Sequence, residues 1–405
     1  MTGCRYIGPV LLLLLLAACG IGAASEFSAV THDSAGVRIV ENRGLSALGE
    51  TWRVDAEPMR EFGVGGAEPV YRVTGAVRLS DGRVAVASSG QNAVRLFAAD
   101  GRPERTLGRA GDGPGEFRTL FWIGVLPGDS IAAWDVANGR LAVFTPAGDL
   151  ARSVAPRQPL GIFPMPQGVL PDGRLVVAAG AGVHGVRLDG RVQRDTQAYV
   201  VLESDGAVRD TIGRFPGTEM IAVGRPGAGM LTRPLPFGLK TGAAVQNGKL
   251  YVATGERYEV AAFAPGGALR ERIRAPVRRL PVTPEDIRDY RRGLVMLGGE
   301  GNARLATQER QLLDQAPYPG QMAAVVSLQG DEEGNVWVQE AQKPSDRRGT
   351  LWTVIGPDGR ARARVRTPAG LNIHQIGRDW ILGVALDDSE VEHVRLHRLR
   401  RAGSK

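Results

Sequence analysis

Residues 76–108 read AVRLSDGRVAVASSGQNAVRLFAADGRPERTLG, and this stretch decides the fold. Short apolar or alternating runs are broken by Asp81-Gly82 and Asp100-Gly101. Asp-Gly flanked by such runs is the signature of a tight hairpin between antiparallel strands. Residues 123–154, IGVLPGDSIAAWDVANGRLAVFTPAGDLARSV, repeat the pattern, and further copies begin near Val169, Ala244, Val325 and Ile373. The anchor glycines Gly82 and Gly128 are 46 residues apart, and Gly128 and Gly173 are 45 apart. About 40–50 residues per four-stranded unit is the spacing of a β-propeller blade. The last copy runs out of chain after its third strand, near Leu399, so an N-terminal strand is expected to complete it. Thr51–Asp55 is the first choice for that strand and Gly36–Glu41 the second.

Composition agrees. The chain has 405 residues, of which 55 are Gly and 25 are Pro, so long uninterrupted helices have little room. Its 43% hydrophobic and 23% charged residues exclude a disordered Gly/Pro tract. The net charge is +7, and 46 of the 50 basic residues are arginines. They are interleaved with acids along the chain, without a single-sign block, which speaks against nucleic acid as partner.

The pattern LSDGRVAVA…VRLFAADG…LGRAGDGPGEF (79–117) resembles an NHL-type repeat. More specifically, it is similar to bacterial exported six-bladed β-propeller proteins with a GxGPGEF segment after the first blade, here Gly111–Phe117. The resemblance spans roughly 36–400 and implies an all-β, six-bladed propeller; as a group such propellers include both binders and enzymes. The sequence departs from the repeat at Ser88, where Asp is common; Asp135 keeps it in the second copy. The Gly-rich segment opens no helix and lacks a Lys, so it is read as a turn that packs across blades.

The N-terminus reads as an address. Arg5 precedes the apolar run Ile7–Leu16, too short to span a bilayer but fitting a signal peptide. Leu16-Ala17-Ala18-Cys19 resembles a bacterial lipobox, which implies removal of residues 1–18 and a lipid on Cys19. Simple secretion, with cleavage near Ala23–Ser25, is the competing reading. Residues 19–35 are expected to be a flexible tether and 36–400 the propeller. The implied location is the cell envelope, in periplasm or outer membrane if the cell is Gram-negative. Cys4 and Cys19 are the two cysteines, so no disulfide follows residue 19.

With strands named A to D outward from the axis, the A–B and C–D turns are all short, from Asp81-Gly82 to Gly377-Arg378 and from Asp100-Gly101 to Asp358-Gly359. Every long insertion falls on the opposite, D–A/B–C face: 109–118, 181–196, 214–240, 278–321 and 342–349. Because rigid scaffolds present function on loops, that face is expected to bind. The largest insertion (281–320) is expected to hold a helix capped by Thr283 and Pro284 and a second near Ala303–Gln315.

No HExxH, cysteine pair, GxSxG or P-loop occurs. His393 and His397 are read as surface residues of an outer strand. The leading expectation is therefore a monomeric, non-enzymatic, lipid-anchored binder of a peptide, glycan or protein, with no cofactor. Its binding-face candidates are Phe117, Trp122, Phe215, Arg225, Arg233, Phe237, Tyr258, Tyr290, Tyr318, Arg347 and His374. The alternative is a calcium-dependent lactonase or hydrolase holding its metal in the channel through Glu256, Glu340, Asn372 and Asp387.

Overall fold

The computed structural model describes residues 26–63, 69–161, 163–180, 191–225, 229–297, 313–314, 316–387 and 389–402, without the side chains of 223–225, 229–231 and 293–297. The chain is nearly all β. Strands β1 (Ser28–Ser34), β2 (Val37–Arg43), β3 (Trp52–Val54) and β4 (Arg60–Phe62) precede the repeats. The first meander is β5 (Val73–Arg78), β6 (Val84–Ser88), β7 (Ala93–Phe97) and β8 (Pro103–Leu107). A two-stranded ribbon of β9 (Arg109–Ala110) and β10 (Glu116–Phe117) leads into the second, β11 (Leu120–Leu126), β12 (Ser130–Asp135), β13 (Arg140–Phe144) and β14 (Leu150–Val154). The third is β15 (Met165–Val169), β16 (Leu175–Ala179), β17 (Gln193–Leu202) and β18 (Val208–Arg225), extended by β19 (Gly229–Pro234). The fourth is β20 (Gly242–Gln246), β21 (Lys249–Ala253), β22 (Glu259–Phe263) and β23 (Leu269–Arg274). Helix α1 (Pro284–Leu297) follows it. Next come β24 (Val325–Gly330), β25 (Val336–Glu340), β26 (Thr350–Ile355) and β27 (Ala361–Thr367), then β28 (Asn372–Ile376), β29 (Trp380–Leu386) and β30 (Glu392–Arg400).

These sheets form a cycle, as a propeller requires. Each successive pair shares an apolar core: Phe117 and Ile131 between the first and second, Leu170 and Leu250 between the third and fourth, Trp337 and Ile381 between the last two. Phe62, Val84, Phe97 and Trp380 then join the last sheet to the first. A second contact recurs. The glycine of each C–D turn sits on the outer strand of the preceding sheet: Gly148 against Arg105 and Leu107, Gly206 against Val154 and Ala155, Gly267 against Thr211 and Ile212, Gly359 against Val40 and Glu271. Gly101 of the first sheet makes that contact with Arg60 and Glu61 of β4, which closes the ring.

Closure differs from expectation in detail. Arg60–Phe62 pairs with Val394–Leu396 of β30, while Trp52–Val54 pairs with the end of β30 and with β27. The expected Thr51–Asp55 segment thus contributes, but the nine-residue β30 is long enough to take a second strand beside it. The runner-up goes elsewhere: β2 lies parallel to β23 on the rim of the fourth sheet. There Asn42, fully buried, donates to Gly359 O (3.0 Å) and accepts from Ala361 N (2.8 Å). It satisfies two backbone groups of the next sheet and so braces the two together.

The tether expectation is corrected over residues 28–35. Ala35 and Gly36 both adopt φ > 0, the geometry of a type I′ turn, and this folds β1 back on β2. Residues 19–25 lie outside the described residues, as does nearly all of the expected second helix. Among the described residues, no helix is long and apolar enough to cross a membrane.

Candidate functional site

The innermost strands β5, β11, β15, β20, β24 and β28 begin on the D–A face. Five carry a one-residue irregularity that fits a β-bulge, at Thr74, Phe121, Gln167, Val326 and His374. A bulge leaves one residue outside the ladder and re-aims its side chain, and bulges concentrate at barrel rims and sites. His374 is the sequence-predicted residue that falls on one. Its imidazole Nε2 is buried and has no partner among the described residues, and burial lowers its pKa to about 4, so it is neutral near pH 7.

Polar side chains tie neighbouring inner strands together. Thr74 Oγ1 donates to Leu120 O (3.0 Å), Gln329 Nε2 to Ile373 O (2.8 Å), and Gln375 Oε1 accepts from Arg78 N (2.6 Å). An inner strand has no strand partner toward the axis, so these contacts satisfy backbone groups otherwise left open. The sequence reading missed these residues, although Gln329 and Gln375 both lie just ahead of their A–B turns.

It also missed the most exposed aromatics of this face. Tyr71, Phe121 and Phe163 are 50%, 47% and 67% exposed. Each lies at the entry to the inner strand of the first, second or third sheet. Tyr71 OH donates to Gly90 O (2.9 Å), and a Cβ on Gly90 would lie 2.2 Å from the ring, so only glycine lets it lie there. Ser88 Oγ donates to Tyr71 O (2.6 Å), and Ser89 N to Arg72 O (3.0 Å). Ser88, the departure from the repeat, thus ties the strand entry to the B–C turn as Asp135 does in the next sheet, where it accepts from Thr119 N (3.1 Å) and Asn138 N (2.7 Å). Arg72, Phe163 and Phe237 all have φ between 51° and 61°. Bulky residues in that region are strained and persist only where the surroundings hold them. Phe163 lines a groove of about 740 Å³ with Val136, Asn138, Gln158, Leu160 and Pro164. The signal is present in the chain, an aromatic just ahead of each of the first three repeats, but it lies outside the longer insertions.

The remaining candidates divide. Phe117 is buried against Phe144 and Tyr258 is buried between the fourth and fifth sheets, where burial raises its phenol pKa. Phe215 makes edge-to-face contacts with Tyr199 and Phe263, and Trp122 packs on the core between the second and third sheets. Phe117 and Tyr258 are thus corrected as binding residues, since both are buried in the apolar space between adjacent sheets, while Trp122 and Phe215 are half-buried against such cores. Arg225 has a side chain outside the described residues. Arg347 is exposed, and Arg233 is half-buried on β19.

Phe237, Tyr290 and Tyr318 do meet. Phe237 lies 5.3 Å from Tyr290 and 6.3 Å from Tyr318, and Tyr290 in turn packs on Ile221, Leu235 and Leu313. This small core joins the β18–β19 hairpin to α1 over the face. Arg291 holds it by donating to Leu313 O (2.8 Å) and to Tyr318 OH (3.2 Å). The helix start is clamped as well. Thr283 N donates to Asp286 Oδ2 (2.8 Å), Asp286 N donates back to Thr283 Oγ1 (3.3 Å), and Lys343 Nζ donates to the same carboxylate (2.5 Å). Burial opposes ionisation of Asp286, but the bonds from Lys343 and Thr283 outweigh it and hold the carboxyl below its ordinary range.

The metal candidates stay apart. Glu256 pairs with Arg194 (2.9 Å), Glu340 accepts from Thr353 and Arg364, and Asp387 accepts from Ser389 N, Val391 N and His393 Nε2 (2.9 Å). Asn372 is exposed, and among the described residues no three His, Cys, Asp or Glu converge on one point. The outer-strand histidines are corrected too. His397 is buried, its Nδ1 2.9 Å from Asp55 O, because β3 and the following turn cover it, and burial lowers its pKa.

No protein-family model matches the chain, and neither does any curated protein. Solved structures do resemble it. An exported protein from Bacteroides fragilis is 13% identical with a TM-score of 0.48, covering 90% of this chain and 99% of that one. A member of the DUF4221 family from Bacteroides vulgatus is 10% identical with a TM-score of 0.49, covering 88% and 100%. Virginiamycin B lyase from Staphylococcus aureus is 10% identical with a TM-score of 0.39, covering 81% and 94%. The propeller architecture rests on the strand order and shared cores described above, not on these likenesses.

Proposed function

We propose that the chain is an exported, six-bladed, NHL-like propeller, held to a membrane by a lipid on Cys19. It acts as a non-enzymatic module that binds a peptide, glycan or protein on its D–A/B–C face. The observation that carries this reading is the set of exposed aromatics held at successive strand entries of that face, Tyr71 by its bond to Gly90 and Phe163 in a strained backbone. The long insertions of the same face also carry a braced cap of α1 and the β18–β19 hairpin. Rigid presentation lowers the ordering cost of binding. The lipobox-like Leu16–Cys19 supports the anchor.

The test is hydrogen–deuterium exchange on the full chain with and without libraries of soluble oligosaccharides and peptides. Protection confined to 69–74, 116–122, 156–161 and 232–240 is expected. Protection confined to the A–B and C–D turns would overturn the assignment of the face. Metabolic labelling with a fatty acid tests the anchor separately: Cys19→Ala is expected to abolish the label.

A further inference from the structure

The arrangement of the three aromatics narrows the ligand class, and this step rests on the binding-face reading above. We propose that the half of the channel mouth formed by the first three sheets is a cleft for a neutral carbohydrate chain, with Tyr71, Phe121 and Phe163 as successive stacking platforms.

Three observations carry it. First, the rings lie at the strand entries of three different sheets, and among the described residues none of the three makes a ring contact with another. A protein partner would need a contiguous, well-packed core within roughly 1,200–2,000 Å² of interface. A sugar chain instead offers one small C–H face per residue, whose weakly positive hydrogens suit the negative face of an aromatic ring.

Second, the platforms are built in place. Tyr71 is fixed by its bond to Gly90 O (2.9 Å) and by the backbone bonds of its neighbours. Phe121 follows Leu120, whose carbonyl accepts from Thr74 (3.0 Å). Phe163 lies in a segment stiffened by Pro156, Pro159, Pro164 and Pro166. Ligand hydroxyls have partners close by in Asn138 and Gln158, which line the same groove as Phe163.

Third, this half carries few charges, and most of them are paired. Arg109 pairs with Glu116 (2.7 Å) and Arg118 with Asp112, and Arg157, which lines the groove, is held from below by Asp205 of a C–D turn (2.6 Å). The turn lining the groove, Val136–Gly139, carries no charge, and Arg72 is an exposed cation with no carboxylate partner among the described residues. A polyanion would need several free cations and a basic peptide several free acids. A neutral, hydroxyl-rich ligand needs neither.

Saturation-transfer NMR and isothermal titration on the full chain, with cellohexaose, chitohexaose and maltohexaose, test this against a proline decapeptide. At least one hexasaccharide is expected to bind, with transfer strongest at its ring C–H protons. Each of Tyr71→Ala, Phe121→Ala and Phe163→Ala is expected to weaken it roughly two- to tenfold, the range for one aromatic contact. Phe121→Tyr keeps a ring and is expected to retain affinity, whereas Phe121→Leu keeps only the apolar volume and is expected to lose it. Equal affinity for the Leu and Tyr variants would overturn stacking. Binding of the decapeptide with none of the sugars would overturn the ligand class and leave the binding face standing. Sugar binding unchanged in the triple Ala variant, with unchanged thermal stability, would overturn the site.

Discussion

At Gly90 the absence of a side chain is what sets the position of Tyr71, since a Cβ there would meet the ring at 2.2 Å. Gly90→Ala is therefore expected to act as a ligand-site variant. It should weaken binding about as much as Tyr71→Ala while shifting Tm by only about 2 °C, as for a surface change of ~0.5 kcal/mol or less. Thermal melts and titration check both halves of that statement. His374 gives a pH dependence with a definite sign. Its folded pKa, about 4, lies below the ordinary 6.5, so the unfolded chain binds its proton first as pH falls. The contribution is fully present above about pH 6.5 and is lost as pH falls toward 4, up to about 3 kcal/mol. Urea midpoints between pH 7 and 4.5 should fall less steeply for His374→Gln than for the wild type; identical slopes would sink the idea. The position of His374 in an inner strand was legible in the sequence. Its place in a bulge was not, because a bulge depends on the register between two strands.

The clearest dependence at the level of elements is that of α1 on a distant loop. Thr283, Pro284 and the acidic first turn announced the helix, and it begins there. Lys343, 57 residues after Asp286, gave no such signal, since its role exists only once the two loops meet. Lys343→Met is expected to raise amide exchange at 284–292 severalfold and to cost about 1 kcal/mol, the scale of a lost helix cap. Because the Asp286 carboxyl is held below its ordinary value, its bonds contribute above the unfolded pKa near 3.8 and are lost as pH falls through the lower folded value. The same segment should thus loosen in acid in the wild type, and Asp286→Asn should already be loose at pH 7. The N-terminal hairpin shows the opposite limit of sequence reading. Its first strand falls in the stretch expected to be a tether, and although Gly36–Glu41 read as a strand, its parallel pairing with β23 and the brace through Asn42 had no signal in the sequence.

For the whole molecule, the repeat spacing made the cyclic arrangement readable from the turns alone, because each Asp-Gly-type pair is a local event that fixes a hairpin. Closure was harder to read, since β3 and β4 lie more than 300 residues before the strand they complete. Closure also makes the ring cooperative. Phe62, wholly buried between the last and first sheets, should cost about 3–5 kcal/mol when replaced by Ala, and the urea unfolding should remain one transition. A loss below about 1 kcal/mol would mean that the N-terminal strand does not hold the ring shut. The account's central claim is that one face of this ring binds. The most direct measurement is photo-crosslinking in intact cells, with a benzophenone amino acid placed at Phe121 or Phe163 on the mouth, or at Asp81 or Ala147 on the short-turn face. The account predicts discrete adducts from the mouth positions alone; adducts from Asp81 and Ala147 with none from Phe121 and Phe163 would contradict it.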